Sequence, residues 1–142
     1  MKREVIRVEP ISTYLERFRA PACAATRAGN MVFVSGLPPF DPVTGEIVKA
    51  GIERQTEIVM EQMKRCLEAA GASLDNVMKC NIFCSSAKHF AAVNAIYARY
   101  FPVDPRARIY VCTSGPDRLT SRSIALRSCD FEKGGGRPLD AC

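Results

Sequence analysis

The chain of 142 residues is long enough for one domain with a hydrophobic core, and its composition, 47% hydrophobic and 25% charged, is typical of a globular protein. It has no run of about 18 apolar residues, which excludes a membrane-spanning helix, and the charged N-terminus MKREVIRVEP lacks the apolar centre of a secretory signal. We therefore expect a cytoplasmic protein with a single domain over residues 1–131 and a disordered tail over 132–142.

The net charge of +5 is spread over the whole chain rather than gathered in one stripe. A surface that binds nucleic acid usually carries dense basic residues with aromatic side chains between them, and this sequence has no tryptophan. The basic residues therefore indicate a solvated surface, and we do not expect a nucleic-acid partner.

Seven cysteines are many for this length, but they are odd in number and scattered, without a C-x-x-C motif, and His89 is the one histidine that could join them. Cys80 and Cys84 would lie about 13 Å apart on a strand, too far to share a zinc ion. We expect free thiols, mostly buried in a reducing compartment, and no metal site. The cysteines are Cys23, Cys66, Cys80, Cys84, Cys112, Cys129 and Cys142.

The first predicted element in chain order is a strand over residues 4–8. Residues 11–22 mix polar and apolar side chains and predict a loop. The sequence NMVFVSG (30–36) predicts a strand, because β-branched and aromatic residues run up to a glycine. Residues 37–48 contain three prolines, and DPVTG (41–45) has the Asp, Pro and Gly spacing of a turn.

Two helical segments follow, separated by a strand over 77–84. The first helix is predicted over 51–70, where apolar residues recur every three or four positions and Gly71 supplies a stop. The second is predicted over 88–101. The expected buried positions of the first are Ile52, Thr56, Val59, Met63, Cys66, Leu67 and Ala70, and those of the second are Phe90, Val93, Tyr97 and Tyr100.

Two more strands, over 107–113 and 121–131, complete an α+β fold in which two helices cover one face of a mixed β-sheet. The other sheet face needs a cover of its own. The strand over 77–84 offers Met78 to one side and Cys80, Ile82 and Cys84 to the other, which suits a sheet covered on both faces. We therefore expect an oligomer.

Four blocks of sequence, in this order and spacing, resemble the RidA/YjgF family of reactive-intermediate (enamine/imine) deaminases. They are GNMVFVSGLPPFDPVTGEIV (29–48), TEIVMEQMKRCLEAAGASLDNVMKCNIF (56–83), HFAAVNAIYARYF (89–101) and PRARIYV (105–111). The resemblance covers roughly residues 20–131. It implies a chorismate-mutase-like fold and a cofactor-independent homotrimer, whose sheets line a central barrel and whose clefts lie between neighbouring subunits.

The resemblance implies a carboxylate-binding arginine. In the family, an arginine after a Pro-Ala step binds the carboxylate of an imino or enamino acid, and PRAR gives Arg108 this place. A guanidinium suits the task because its planar fork matches a carboxylate with two parallel hydrogen bonds. The alternative for Arg108 is an intersubunit salt bridge. We interpret Arg106 as a surface charge.

Four further positions match the family's substrate-binding residues. Ser35 and Gly36 match a Ser-Gly pair whose glycine lets a backbone group approach the ligand, and Asn94 and Phe90 match positions of the second helix beside the cleft. Each has a structural alternative. Ser35 and Gly36 could simply end a strand, Asn94 could cap or brace a neighbouring loop, and Phe90 could belong to the core.

The sequence departs from the family where the chemistry would be. Deaminating members carry a glutamate on the last strand that positions the attacking water, whereas residues 119–129 contain no carboxylate and Ser123 or Ala125 takes its place. Ala22 replaces a tyrosine near the cleft. Tyr110 replaces a small cysteine, and it either closes the pocket or offers its hydroxyl as a polar contact.

Three functions follow from this comparison. The first is hydrolytic deamination of small carboxylate-bearing imines or enamines, such as 2-aminoacrylate, with Arg108 as the catalytic anchor. The second is a non-catalytic trimer that binds or senses a 2-keto acid, which the missing glutamate favours. The third, a ribonuclease or translation inhibitor, has only the diffuse positive charge in its favour.

Overall fold

The computed structural model describes residues 2–113 and the backbone of one further strand, residues 124–128. The predicted domain boundary at residue 131 and the predicted tail over 132–142 lie outside these residues. The strands are β1 (Arg3–Ile6), β2 (Ala25–Ala28), β3 (Met31–Val34), β4 (Lys79–Cys84), β5 (Ala107–Cys112) and β6 (Ile124–Ser128), and the helices are α1 (Ile11–Arg17), α2 (Ile52–Ala69) and α3 (Phe90–Tyr100).

The strands form two three-stranded groups. One is the antiparallel order β1-β2-β3, and the other has β4 at its centre between β5, which is parallel to it, and β6, which is antiparallel. Helix α2 packs over β3 and β6 and beside α3. The predicted α+β class with a mixed sheet is confirmed.

Helix α2 follows the predicted pattern closely. Every position expected to face the core is buried, and Gly71 follows its end with a φ of 77°, a conformation that glycine adopts at low cost. Burial raises the pKa of the Cys66 thiol to about 12, so this side chain is a neutral core group.

Among residues 2–113, no helix is long and apolar enough to cross a membrane.

The prediction of a loop over 11–22 is wrong at its start, because residues 11–17 form α1. Ile11, Tyr14 and Leu15 are spaced as one helical face and are buried. Strand β2 was not predicted from the sequence; its short run ATRA is paired on both sides, with β1 and with β3.

The predicted turn over 41–45 is confirmed, and it packs against α1. The Asp41 carboxylate accepts hydrogen bonds from the backbone N–H groups of Val43 and Thr44 at 2.9 and 2.8 Å. Gly45 has a φ of 74°, and a Cβ atom there would lie 2.4 Å from ring atoms of Tyr14. The turn therefore needs glycine both for its backbone conformation and for close packing.

Helix α3 begins after a short 3-10 turn over 87–89, where the Ser86 hydroxyl accepts a hydrogen bond from the Lys88 N–H. Val93 and Tyr97 are buried as predicted, and Tyr100 is half-buried. The prediction that Phe90 is buried is wrong, since 46% of this residue is exposed. It occupies the first position of the helix, at the end of the apolar stripe, where the side chain is partly open to solvent.

The sheet around β4 has one buried and one open face. Cys80, Ile82 and Cys84 are fully buried, as predicted, but the assignment of Met78 to the opposite face is wrong, because Met78 precedes β4 and is half exposed. Phe83 belongs to the open face instead. Apolar side chains of β5 are exposed with it, at Ile109 and Val111. In the other group of strands, Phe33 of β3 is exposed as well.

Candidate functional site

Arg108 lies in β5 on the buried side of the sheet, opposite Cys80 of β4 in the parallel register, and it is half-buried. One of its terminal nitrogens, Nη1, donates a 2.6 Å hydrogen bond to Oδ1 of Asn94 in α3. The guanidinium carbon also lies 5.0 Å from the centre of the Tyr97 ring and 5.8 Å from that of Phe90. The arginine is thus held between the sheet and α3.

The surroundings of Arg108 leave its charge uncompensated within the described part of the chain. Asn94 supplies a neutral amide oxygen, and no carboxylate among residues 2–113 forms an ion pair with Arg108. A guanidinium has five N–H donors and stays charged at any biological pH. The arrangement therefore favours an anion at Arg108.

Helix α3 supplies three side chains to this group: Phe90, Asn94 and Tyr97. They stand at positions i, i+4 and i+7, so they share one face of the helix. From the sequence, Tyr97 was predicted as a core residue only. Its spacing from Phe90 and Asn94 was the signal that could have assigned it to the site, because a buried aromatic ring flanks the guanidinium.

Tyr110 is joined to the same group through Phe90. The two rings meet edge to face, with their centres 5.0 Å apart. The Tyr110 hydroxyl is buried, and its pKa is raised above the usual value by burial and by the neighbouring Cys84 thiol. Tyr110 is therefore a neutral phenol, and its ring packs against the Phe90 ring that lies beside Arg108.

Ser35 and Gly36 lie elsewhere, directly after β3. The Ser35 hydroxyl donates a 2.6 Å hydrogen bond to the carbonyl oxygen of Cys23, and the Ser35 N–H donates to the Ala24 carbonyl at 3.0 Å. Gly36 is exposed. Both Ser35 bonds serve to close the strand end onto residues 23–24, and a ligand role for the pair stays a prediction.

Arg106 is not the surface charge that the sequence suggested. It is half-buried, donates hydrogen bonds to the backbone carbonyls of Asp75 and Asp104, and lies 5.4 Å from the centre of the Phe101 ring. It ties the loop before β5 to the segment before β4. Both terminal nitrogens of Arg106 are engaged by these backbone carbonyls, whereas Arg108 engages one, through Asn94.

The positions that depart from the family pattern are only partly described. Ala22 is exposed in the loop before β2. Ala125 belongs to β6, opposite Phe83 in the register, and Ser123 lies outside the described residues. No group of three or more His, Cys, Asp or Glu side chains with metal-binding geometry occurs in the part of the chain that the structure describes.

Comparison with known proteins identifies the family. Residues 17–117 match the sequence pattern of the family described as endoribonuclease L-PSP. The chain belongs to the RidA/YjgF family. A RutC family protein of Pyrococcus horikoshii is 45% identical over 91 residues, which cover 64% of this chain and 72% of that protein. Reactive Intermediate Deaminase A, chloroplastic, of Arabidopsis thaliana is 38% identical over 108 residues, 76% of this chain and 56% of that protein.

The solved structures agree with this assignment. Yeast Mmf1 has a TM-score of 0.76 and 27% sequence identity, and the alignment covers 93% of this chain and 100% of that one. The overlap extends over nearly the whole chain, so the RidA/YjgF fold accounts for the element order found here.

Proposed function

We propose that the protein deaminates small carboxylate-bearing imines or enamines by hydrolysis, without a cofactor, and that Arg108 holds the substrate carboxylate. The observation that carries the proposal is the oriented, half-buried guanidinium that no described carboxylate neutralises. A relative named Reactive Intermediate Deaminase A supports the reaction class.

The reaction requires a bound substrate, a water molecule and proton transfer, without a cofactor. An enamine first tautomerises to the imine, as a proton moves from its nitrogen to its terminal carbon. Water then adds to the carbon of the C=N bond and gives up both of its protons, the nitrogen takes up two protons, and the C–N bond breaks, so that ammonia leaves and a 2-keto acid remains. Arg108 fixes the carboxylate next to the reacting carbon, and Phe90 and Tyr110 line the space beside it. One acid–base group contributes about 10²–10⁴-fold to the rate of such a reaction. Because residues 119–129 contain no carboxylate, we expect the protein to accelerate deamination only modestly over the rate in buffer.

We further propose that the site lies in a cleft between subunits of a homotrimer. The open face of the sheet around β4 supports this assembly, since Ile109 and Val111 expose apolar surface there. A second copy would remove this surface from water, which is favourable at about 25 cal/mol per Å².

The test is release of ammonia from 2-aminoacrylate generated in place. We expect acceleration over buffer that Arg108→Ala removes, whereas Arg99→Ala, an exposed arginine of α3 paired with Glu57, leaves it unchanged. Equal rates for the protein, for Arg108→Ala and for buffer would overturn the catalytic proposal.

A second candidate is a non-catalytic trimer that binds or senses a 2-keto acid, and the lack of a carboxylate in residues 119–129 favours it. It predicts saturable, Arg108-dependent binding of pyruvate without turnover. A ribonuclease receives less support, because the chain has a single histidine and hence no His pair for RNA cleavage.

A further inference from the structure

Cys84 and Cys112 occupy matching ends of two neighbouring parallel strands. Each is the last residue of its strand, and they face each other in the register of β4 and β5. The hydrogen bond from the Thr113 N–H to the Cys84 carbonyl, at 2.9 Å, holds the two strand ends together. Side chains of paired residues in a parallel sheet point to the same face, so the two thiols lie side by side.

This placement satisfies the backbone spacing that a disulfide needs. Neighbouring strands lie about 4.8 Å apart, and the Cα atoms of bridged cysteines lie about 4.4–6.8 Å apart. Both residues stand at strand ends, where a small backbone shift disturbs few ladder hydrogen bonds. The bridge therefore requires only a small local shift at the two strand ends.

The two thiols also differ in access to solvent. Cys112 is exposed, whereas Cys84 is fully buried beside it. An exposed thiol next to a second, protected thiol is the usual arrangement of a cysteine that is oxidised first and then resolved. Tyr110, two positions before Cys112 in β5, has its hydroxyl beside the Cys84 thiol.

The other described cysteines do not offer this combination. Cys66 and Cys80 are fully buried, and the residue opposite Cys80 in β5 is Arg108. Cys23 is half-buried in the loop before β2. Cys80 is four positions from Cys84 along the strand, about 13 Å away, so it cannot replace Cys84 as the partner of Cys112.

We propose that Cys84 and Cys112 are a redox-active pair that forms an intrachain disulfide when a hydroperoxide oxidises Cys112. In the first step the Cys112 thiol is oxidised to a sulfenic acid, and hydrogen peroxide is reduced to water. In the second, the Cys84 sulfur attacks the Cys112 sulfur, the S–O bond breaks, and the oxygen leaves with the two thiol-derived protons as water. A cellular dithiol reductant reverses the bridge by thiol–disulfide exchange.

The experiment is oxidation of the intact chain by hydrogen peroxide, followed by alkylation of the remaining thiols and peptide mapping without reduction. Cleavage with trypsin and chymotrypsin together separates Cys80 from Cys84, because chymotrypsin cuts after Phe83. We expect a Cys84–Cys112 peptide that disappears on reduction. Cys84→Ser should leave a sulfenic acid at Cys112 that dimedone traps, and Cys23→Ser should behave as the natural chain.

Several results would overturn the proposal. In the first, the Cys112 thiol stays reduced after peroxide treatment. In the second, Cys112 forms its disulfide with Cys80 or with a second chain. In the third, the Cys84→Ser variant loses alkylatable thiol as fast as the natural chain, but dimedone traps no sulfenic acid. Oxidation in urea gives the reference for random pairing. A Cys84–Cys112 yield no higher in the folded chain than in urea would also contradict a pair built by the fold. None of these readouts uses the deaminase assay, so the two proposals fail independently.

Discussion

Arg108 in β5 and Asn94 in α3 are joined by a 2.6 Å hydrogen bond, and this contact sets the direction of the guanidinium. One donor is used by a neutral amide, and two aromatic rings restrict the group further. The remaining donors are left for an anion. The Asn94 side chain thus contacts a strand residue, and its role in positioning Arg108 for a ligand stays a prediction.

The first prediction concerns this positioning. Asn94→Ala removes a hydrogen bond to a charged donor, a contact worth about 1.5–3 kcal/mol, and we expect pyruvate to bind about tenfold more weakly. Arg108→Lys keeps the charge but loses the planar fork, so it should weaken binding more than Asn94→Ala. Titration calorimetry measures both. Full affinity in Arg108→Lys would show that charge alone recognises the ligand.

The second prediction concerns the turn against α1. Gly45→Ala places a methyl group 2.4 Å from the Tyr14 ring at a positive φ, and we expect a loss of about 1–3 kcal/mol in the free energy of unfolding. Gly51→Ala is the matched control, because its φ is −59° and the nearest atom is a mobile Glu53 oxygen at 3.4 Å. Urea denaturation compares the two, and equal stability would contradict the packing described here.

The third prediction concerns pH. The backbone N–H groups of Thr44 and Val43 hold the pKa of the Asp41 carboxyl below its ordinary value of 3.8. Protonation therefore favours the unfolded chain, so the stability that Asp41 contributes is complete above pH 3.8 and is lost as the pH falls through the lower, folded value. Asp41→Asn should flatten this part of the acid unfolding curve. An unchanged curve would exclude a contribution from the carboxylate.

The fourth prediction concerns assembly. Val111→Asp puts a charge on the open sheet face and should convert a trimer to monomers, because burying an unpaired charge costs several kcal/mol. Val43→Asp is the control, since Val43 is 87% exposed in the turn over 41–45. Light scattering after gel filtration gives the mass of each. A trimer that survives Val111→Asp would place the interface elsewhere.

Helices with a full apolar stripe were predictable, and elements fixed by their neighbours were not. The stripe of α2 repeats over five turns, so its period decided the assignment. Helix α1 has only two turns, and β2 has four residues with a central Thr26 and Arg27 that gain strand structure from pairing with β1 and β3. Such short segments follow tertiary contacts rather than intrinsic preference.

The candidate site shows the same limit. The family resemblance selected Arg108, Asn94, Phe90 and Tyr110, and the fold places them in one group. The sequence could not separate the roles of Arg106 and Arg108, because the two arginines stand two positions apart at the start of β5 and differ only in the groups they contact. Backbone carbonyls of Asp75 and Asp104 meet Arg106, whereas an amide and two rings meet Arg108.

The binding of pyruvate to the natural chain, to Arg108→Ala and to Arg99→Ala, followed by titration calorimetry, tests the central claim most directly. Hydrogen bonds to a charged group are worth about 1.5–3 kcal/mol, so Arg108→Ala should bind about 10- to 100-fold more weakly, while Arg99→Ala binds as the natural chain does. If Arg108→Ala binds pyruvate with unchanged affinity, Arg108 does not hold the carboxylate.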